Sequence, residues 1–248
     1  MKPLSLAAGL LLISACGLAA AQGPAAPPAT PPAAAQEDRQ DYSPAERLLL
    51  MSRQLDTVKP PAKLSYRFIK SGSLEKPFTD AVTVKLTRDK TGKCCTAEGE
   101  FLTGERRINL PEVEQPEGNP VILYFLEHDI REMNRLTKGS TNYFRKRIRM
   151  ALYDGASLRD TRVTYQGKSV AAKEITIRPF VDDPNRARFE QYTGKQYVFV
   201  LSDAVPGSVV AIRSTATPPA GGTPLIDEEM VLEGADSPRP AAATTSQL

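Results

Sequence analysis

Residues 124–152 read YFLEHDIREMNRLTKGSTNYFRKRIRMAL. Within this stretch apolar side chains return every three or four positions; on either side of it they return every two. The fold turns on that change of period. Ile122, Leu126, Ile130 and Met133 stack along one side of a predicted helix, with Phe125 and Leu136 beside them. Glu127, Arg131, Asn134, Arg135 and Lys138 take the other side. Asn119 is the expected N-cap, Pro120 the first helical residue and Gly139 the left-handed stop. Ser140 or Thr141 then opens a second helix with Phe144, Ile148, Ala151 and Leu152 on one face, ending at Asp154–Gly155. The stretch reads as an amphipathic helical hairpin.

The flanks alternate. Leu64, Tyr66 and Phe68 are interleaved with polar residues, as are Val82, Val84 and Leu86. After a predicted turn at 89–92, Cys95, Ala97 and Phe101 resume the pattern. Beyond residue 155, Arg162–Gln166 and Val170–Arg178 read as a hairpin, and Phe189–Tyr192 and Lys195–Leu201 flank Gly194. Val209–Ser214 follows a Pro206–Gly207 turn, and Leu225–Leu232 offers a last strand whose Asp227–Glu228–Glu229 must face water or an edge. This is the grammar of half-buried antiparallel strands. Ser43–Pro44–Ala45–Glu46 is a capping box and predicts a first helix from 44 to about 56, stopped before Pro60–Pro61. The expected fold class is mainly β (α+β).

The ends are of different material. Lys2 precedes an apolar run, Leu4 to Leu18, too short for a membrane span of about 20 residues. Ala19–Ala21 follows as an A-x-A site, so 1–21 reads as a signal peptide. Ile13–Ser14–Ala15–Cys16 also fits a lipobox, with Cys16 as a lipidation site. Both readings place the protein in the periplasm, soluble or anchored to the outer membrane. Residues 22–42 are a Pro/Ala-rich tether, 43–233 a single domain, and 234–248 a small-residue tail expected to be disordered.

Net charge is +3, from 32 basic and 29 acidic residues, so any anion-binding surface must be local. Arg145, Lys146, Arg147 and Arg149 form the densest basic run and are the candidates for contact with an anionic membrane surface. Read as solvation of a helix face, the same run needs no partner. STNYFRKRIR also looks like a DNA-reading helix, but an exported chain has no such partner, and no nucleic acid is expected. His128, the single histidine, reads as a partly exposed surface residue whose nearest partners are Tyr124, Arg131 and Glu132, one turn away. No nucleophile–base pair, phosphate loop or metal-ligand spacing occurs, so neither enzyme, cofactor nor metal is expected. Cys94 and Cys95 read first as two unbridged thiols on opposite faces of a strand, with a bond between them or to another chain as the alternatives.

Four segments together resemble the LolA/LolB-like superfamily of bacterial envelope proteins, and more narrowly the EipB-like periplasmic proteins. They are DAVTVKLTRDKTG (80–92), the helical insert (120–152), RVTYQGKSVAAKEITIRPF (162–180) and LSDAVPGSVVAIRS (201–214). The resemblance implies an unclosed antiparallel β-barrel whose concave apolar face is covered by the helical hairpin, and, as in relatives that carry lipoproteins, a cavity for acyl chains. Its lining would be Leu64, Tyr66, Phe68, Val82, Val84, Leu86, Phe125, Met133, Phe144, Ile148, Tyr197 and Phe199. The expected function is binding of a lipid, an acyl chain or a lipidated protein in the envelope. The alternative is a scaffolding protein with a packed core that acts through its basic helical face.

Overall fold

The computed structural model describes residues 42–88 and 94–238. The expected signal peptide, Cys16, nearly all of the tether, the 89–92 turn and the end of the tail lie outside these residues.

Ser43 caps the first helix as predicted. Its hydroxyl accepts from the Glu46 amide at 3.1 Å while the Glu46 carboxylate accepts from the Ser43 amide at 2.9 Å. The helix so capped, α1 (Pro44–Glu46), widens at once into a π-helical turn over Arg47–Met51 and stops there, short of the expected 56. The reason is Gln54. Its buried amide donates to the carbonyls of Leu48 and Leu49, satisfying from outside the acceptors that a further turn would have used.

Among the described residues ten strands form one antiparallel sheet that does not close. They are β1 (Ala62–Ser71), β2 (Phe78–Arg88), β3 (Cys94–Phe101), β4 (Ile108–Asn109), β5 (Val113–Glu114), β6 (Ser157–Tyr165), β7 (Lys168–Ile177), β8 (Gln196–Leu201), β9 (Val209–Ala216) and β10 (Ile226–Leu232). Their spatial order is β4-β3-β2-β1-β10-β9-β8-β7-β6, with β5 also paired to β3. Between β5 and β6 come α2 (Val121–Thr137) and α3 (Thr141–Asp154). The β6–β7 turn has positive φ at both Gln166 and Gly167, the twist-matched form of a two-residue hairpin.

The sheet is strongly curled. Ala235 bridges to Tyr165 at the end of β6, only three residues after β10 ends at Leu232. Three residues reach at most about 11 Å, whereas four flat inter-strand steps would need about 19 Å. The chain from Gly234 is ordered as far as it is described: the Gln166 amide donates to Gly234 and the Asp236 amide to Thr164.

Helix α2 ends one residue earlier than the sequence suggests. Lys138, not Gly139, takes the left-handed position, with φ 59°. Gly139 is needed for space instead: a Cβ there would lie 2.6 Å from the Phe144 ring. Phe189–Tyr192, expected to be extended, coils into short 3-10 turns. Cys95 is fully buried and disulfide-bonded, which overturns the reading of two unbridged thiols. The side chain of Cys94 lies outside the described ones.

The largest departure is β10. It is the central strand, not an edge, and every residue in it is buried, including Asp227, Glu228 and Glu229. Asp227 and Glu229 meet Arg213 and Ser237. Glu228, one residue out of phase with them, belongs to the helix side of the sheet.

Candidate functional site

The twelve residues expected to line a cavity are all buried, and all belong to the hydrophobic core. The Phe68 ring touches those of Phe78, Phe101 and Phe125 at centroid distances of 5.7–6.3 Å. A second aromatic cluster joins Phe144, Phe180 and Phe189. Each such ring contributes on the order of 1.5–3 kcal/mol by burial. The interior between sheet and helices is therefore filled by the protein's own side chains at these positions.

That interior also holds a polar row which the sequence reading missed. Lys70 on β1, Glu228 on β10, Ser214 on β9 and Tyr197 on β8 are successive partners in the strand register. They face His128, Asp129 and Glu132 of α2. Lys70 Nζ lies 2.9 Å from Glu228 Oε1, 2.5 Å from Glu75 and 3.5 Å from Glu132. His128 is not at the surface: it lies between the Phe68 and Phe101 rings, with Nε2 3.3 Å from Glu228 Oε1. Asp129 is fully buried. Tyr197 Oη donates to its Oδ2 at 2.5 Å, Ser214 Oγ to its Oδ1 at 2.9 Å, and Lys195 Nζ sits 2.7 Å from Oδ1.

Burial pushes the Glu228 carboxyl up, but His128, Lys70 and Lys195 outweigh it and hold it at about 2. Burial likewise pulls the Lys70 ammonium down, and the carboxylates of Glu228, Glu75 and Glu132 outweigh that, raising it above its ordinary value. Burial and the neighbouring Asp129 carboxylate raise the Tyr197 phenol, so it remains a donor. Among the described residues no group of three or more His, Cys, Asp or Glu side chains is placed to hold a metal.

A different kind of site lies on the outside. A groove of about 510 Å³ runs between the π-helical turn, the 110–113 segment, α2 and α3. That size falls in the roughly 300–1,000 Å³ range of small-ligand sites. Leu50, Leu110, Leu126, Ile130, Ile148 and Leu152 make an apolar floor. Leu123 stands at the groove 59% exposed and Leu50 41% exposed, large hydrophobic side chains left in water. The walls also include Tyr124, whose buried hydroxyl lacks a hydrogen-bond partner and whose pKa burial raises. Three guanidiniums, Arg131, Arg145 and Arg149, border the groove with one carboxylate, Glu127. Glu127 receives Arg145 at 2.8 Å and Arg131 at 3.1 Å. Burial raises its carboxyl, but the two arginines prevail and keep it below its usual range.

Of the four candidates for an anionic surface, Arg145, Lys146 and Arg149 are exposed. Arg147 is not available for that role. It turns inward, donating to the Pro179 carbonyl at 2.9 Å and pairing with buried Asp183. A larger and more polar cleft of about 790 Å³ lies beside it, where the Arg159–Glu174 ion pair forms one wall.

Compared with family models and with curated proteins, the chain matches none. No helix among the described residues is long and apolar enough to cross a membrane.

Proposed function

We propose that this is a non-enzymatic protein of the cell envelope, and that it holds the acyl chain of an anionic lipid in the groove between the π-helical turn, α2 and α3. The observation that carries the reading is the pairing of an apolar floor with a guanidinium rim. An acyl chain matches the first, and an acidic head group matches the second. The unclosed sheet with its helices is read as the half-barrel of LolA/LolB-like proteins, with the helical pair as its cover. In this protein eleven of the twelve interior positions lie away from the groove and only Ile148 also reaches its floor, so the acyl site lies on the outer side of the helices rather than under them. The signal-like leader and the Pro/Ala tether support a periplasmic place, soluble or held at the outer membrane through Cys16.

Native mass spectrometry of protein purified from envelopes should find bound acyl lipid. Binding to vesicles containing phosphatidylglycerol should be lost in a Leu50→Glu/Leu123→Glu variant, whose changes fall on exposed positions. Protein free of lipid and indifferent to such vesicles would overturn the reading. The packed interior favours a second reading, a scaffold that holds a protein partner through the exposed Arg145, Lys146 and Arg149. Charge reversal there would then abolish pull-down of the partner while leaving lipid content unchanged.

A further inference from the structure

The contact between Lys195 and Asp129 plays no part in the groove and has its own chemistry. Both side chains are fully buried, on different elements, with Nζ 2.7 Å from Oδ1. Nζ is in ion-pair range yet outside hydrogen-bonding angles, so the ammonium is left without a true hydrogen bond. Asp129 does not need it as a donor, since Tyr197 and Ser214 already serve its two oxygens.

We infer that Lys195 and Asp129 are the precursors of an internal amide crosslink, which the folded chain closes by itself. The reaction starts when the ammonium passes its proton to the carboxylate it touches, which gives a neutral amine beside a neutral acid. A neutral lysine amine is a nucleophile. Its nitrogen is within roughly 4 Å of the carboxyl carbon, close to the near-attack range of about 3–3.5 Å. Attack forms the Nζ–Cγ bond, and Tyr197 and Ser214 donate to the oxygens on which negative charge develops. A proton passes from the nitrogen to the departing hydroxyl. One C–O bond breaks and one water leaves. Ammonium plus carboxylate becomes amide plus water, and nothing is oxidised or reduced.

The test is peptide mapping of the full chain with intact mass measurement under denaturing, reducing conditions. The expected result is a protein one water lighter than its sequence, with a branched peptide joining the Asp129 and Lys195 segments. Lys195→Arg keeps the charge but should restore the full mass. Wild-type protein of full mass, with Asp129 and Lys195 in separate linear peptides, overturns the inference and makes the contact a buried ion pair only.

Discussion

Helix α2 has two sides, and each breaks the ordinary rule of polar outside and apolar inside. Toward the sheet it presents His128, Asp129 and Glu132 to a row of buried polar partners; away from it, Leu123 and Leu126 line an open groove. The inner exception is stable because register brings its partners together: four adjacent strands each supply one polar group at the same level. The outer exception has no such completion, since nothing among the described residues covers Leu123, which is 59% exposed. Buried charge is tolerated where its partners are fixed by pairing, while exposed apolar surface is left where a partner is still to come.

The comparison breaks most sharply on the inside. Glu228→Ala leaves Lys70 with weaker partners in a buried setting and should cost about 3–5 kcal/mol in urea unfolding. A change within the error of the measurement would mean that the row does not hold the sheet to the helix. The same carboxylate should be visible in acid. Its pKa falls from 4.5 to about 2 on folding, so its contribution is present above pH 4.5 and is lost as pH drops toward 2. That shift corresponds to about 3 kcal/mol. In Glu228→Gln the stability curve should be flatter through this window; an unchanged slope would assign the acid sensitivity to other groups.

Two arginines of α3, two residues apart and so on different sides of the helix, sharpen the contrast. Arg147→Ala strands buried Asp183 and should destabilise by roughly 1–3 kcal/mol. Arg149→Ala, at an exposed rim position, should stay within about 0.5 kcal/mol. Equal effects in thermal unfolding would erase the distinction between them. The smallest effect on stability belongs to the groove. Leu123→Glu should leave the melting temperature in place and weaken lipid binding roughly tenfold, from the apolar contact it removes. Unchanged binding to anionic vesicles would move the site elsewhere.

Much of the sheet was legible in the sequence because alternation with period two says which face a residue takes. Both long helices were legible from their stripes. The polar row was also written there, as breaks in those periods. Lys70 ends the Leu64–Tyr66–Phe68 series, Ser214 follows Val210 and Ile212, and Asp129 stands between Phe125 and Met133 at i, i+4 spacing. Each looks like the end of a buried face when taken alone. Only the pairing of strands distant in sequence shows that they meet. His128 was misplaced for the same reason, because its partner Glu228 lies 100 residues away. Three acids in sequence on β10 argued for an edge, since charge at a sheet centre requires partners that a single strand does not reveal. The groove was not legible at all: Leu50, Leu110 and Leu123 belong to three separate segments, and none is unusual in its own.

The position of β10 bears on when the molecule can come together. The strands before it form two separate ribbons, one from β1 to β5 and the other from β6 to β9, and the last strand is the seam between them. A chain emerging from its N-terminus, whether from a ribosome or through a membrane, has two open strand edges until residue 232 is out. The β1–β10 pairs that join the halves run from Tyr66–Leu232 to Ser71–Asp227, far apart in sequence, and pairing of this kind is slow to form. The protein is thus held back from its final form until almost all of it has been delivered, and a passage that needs an unfolded chain is favoured by the order in which its strands are made.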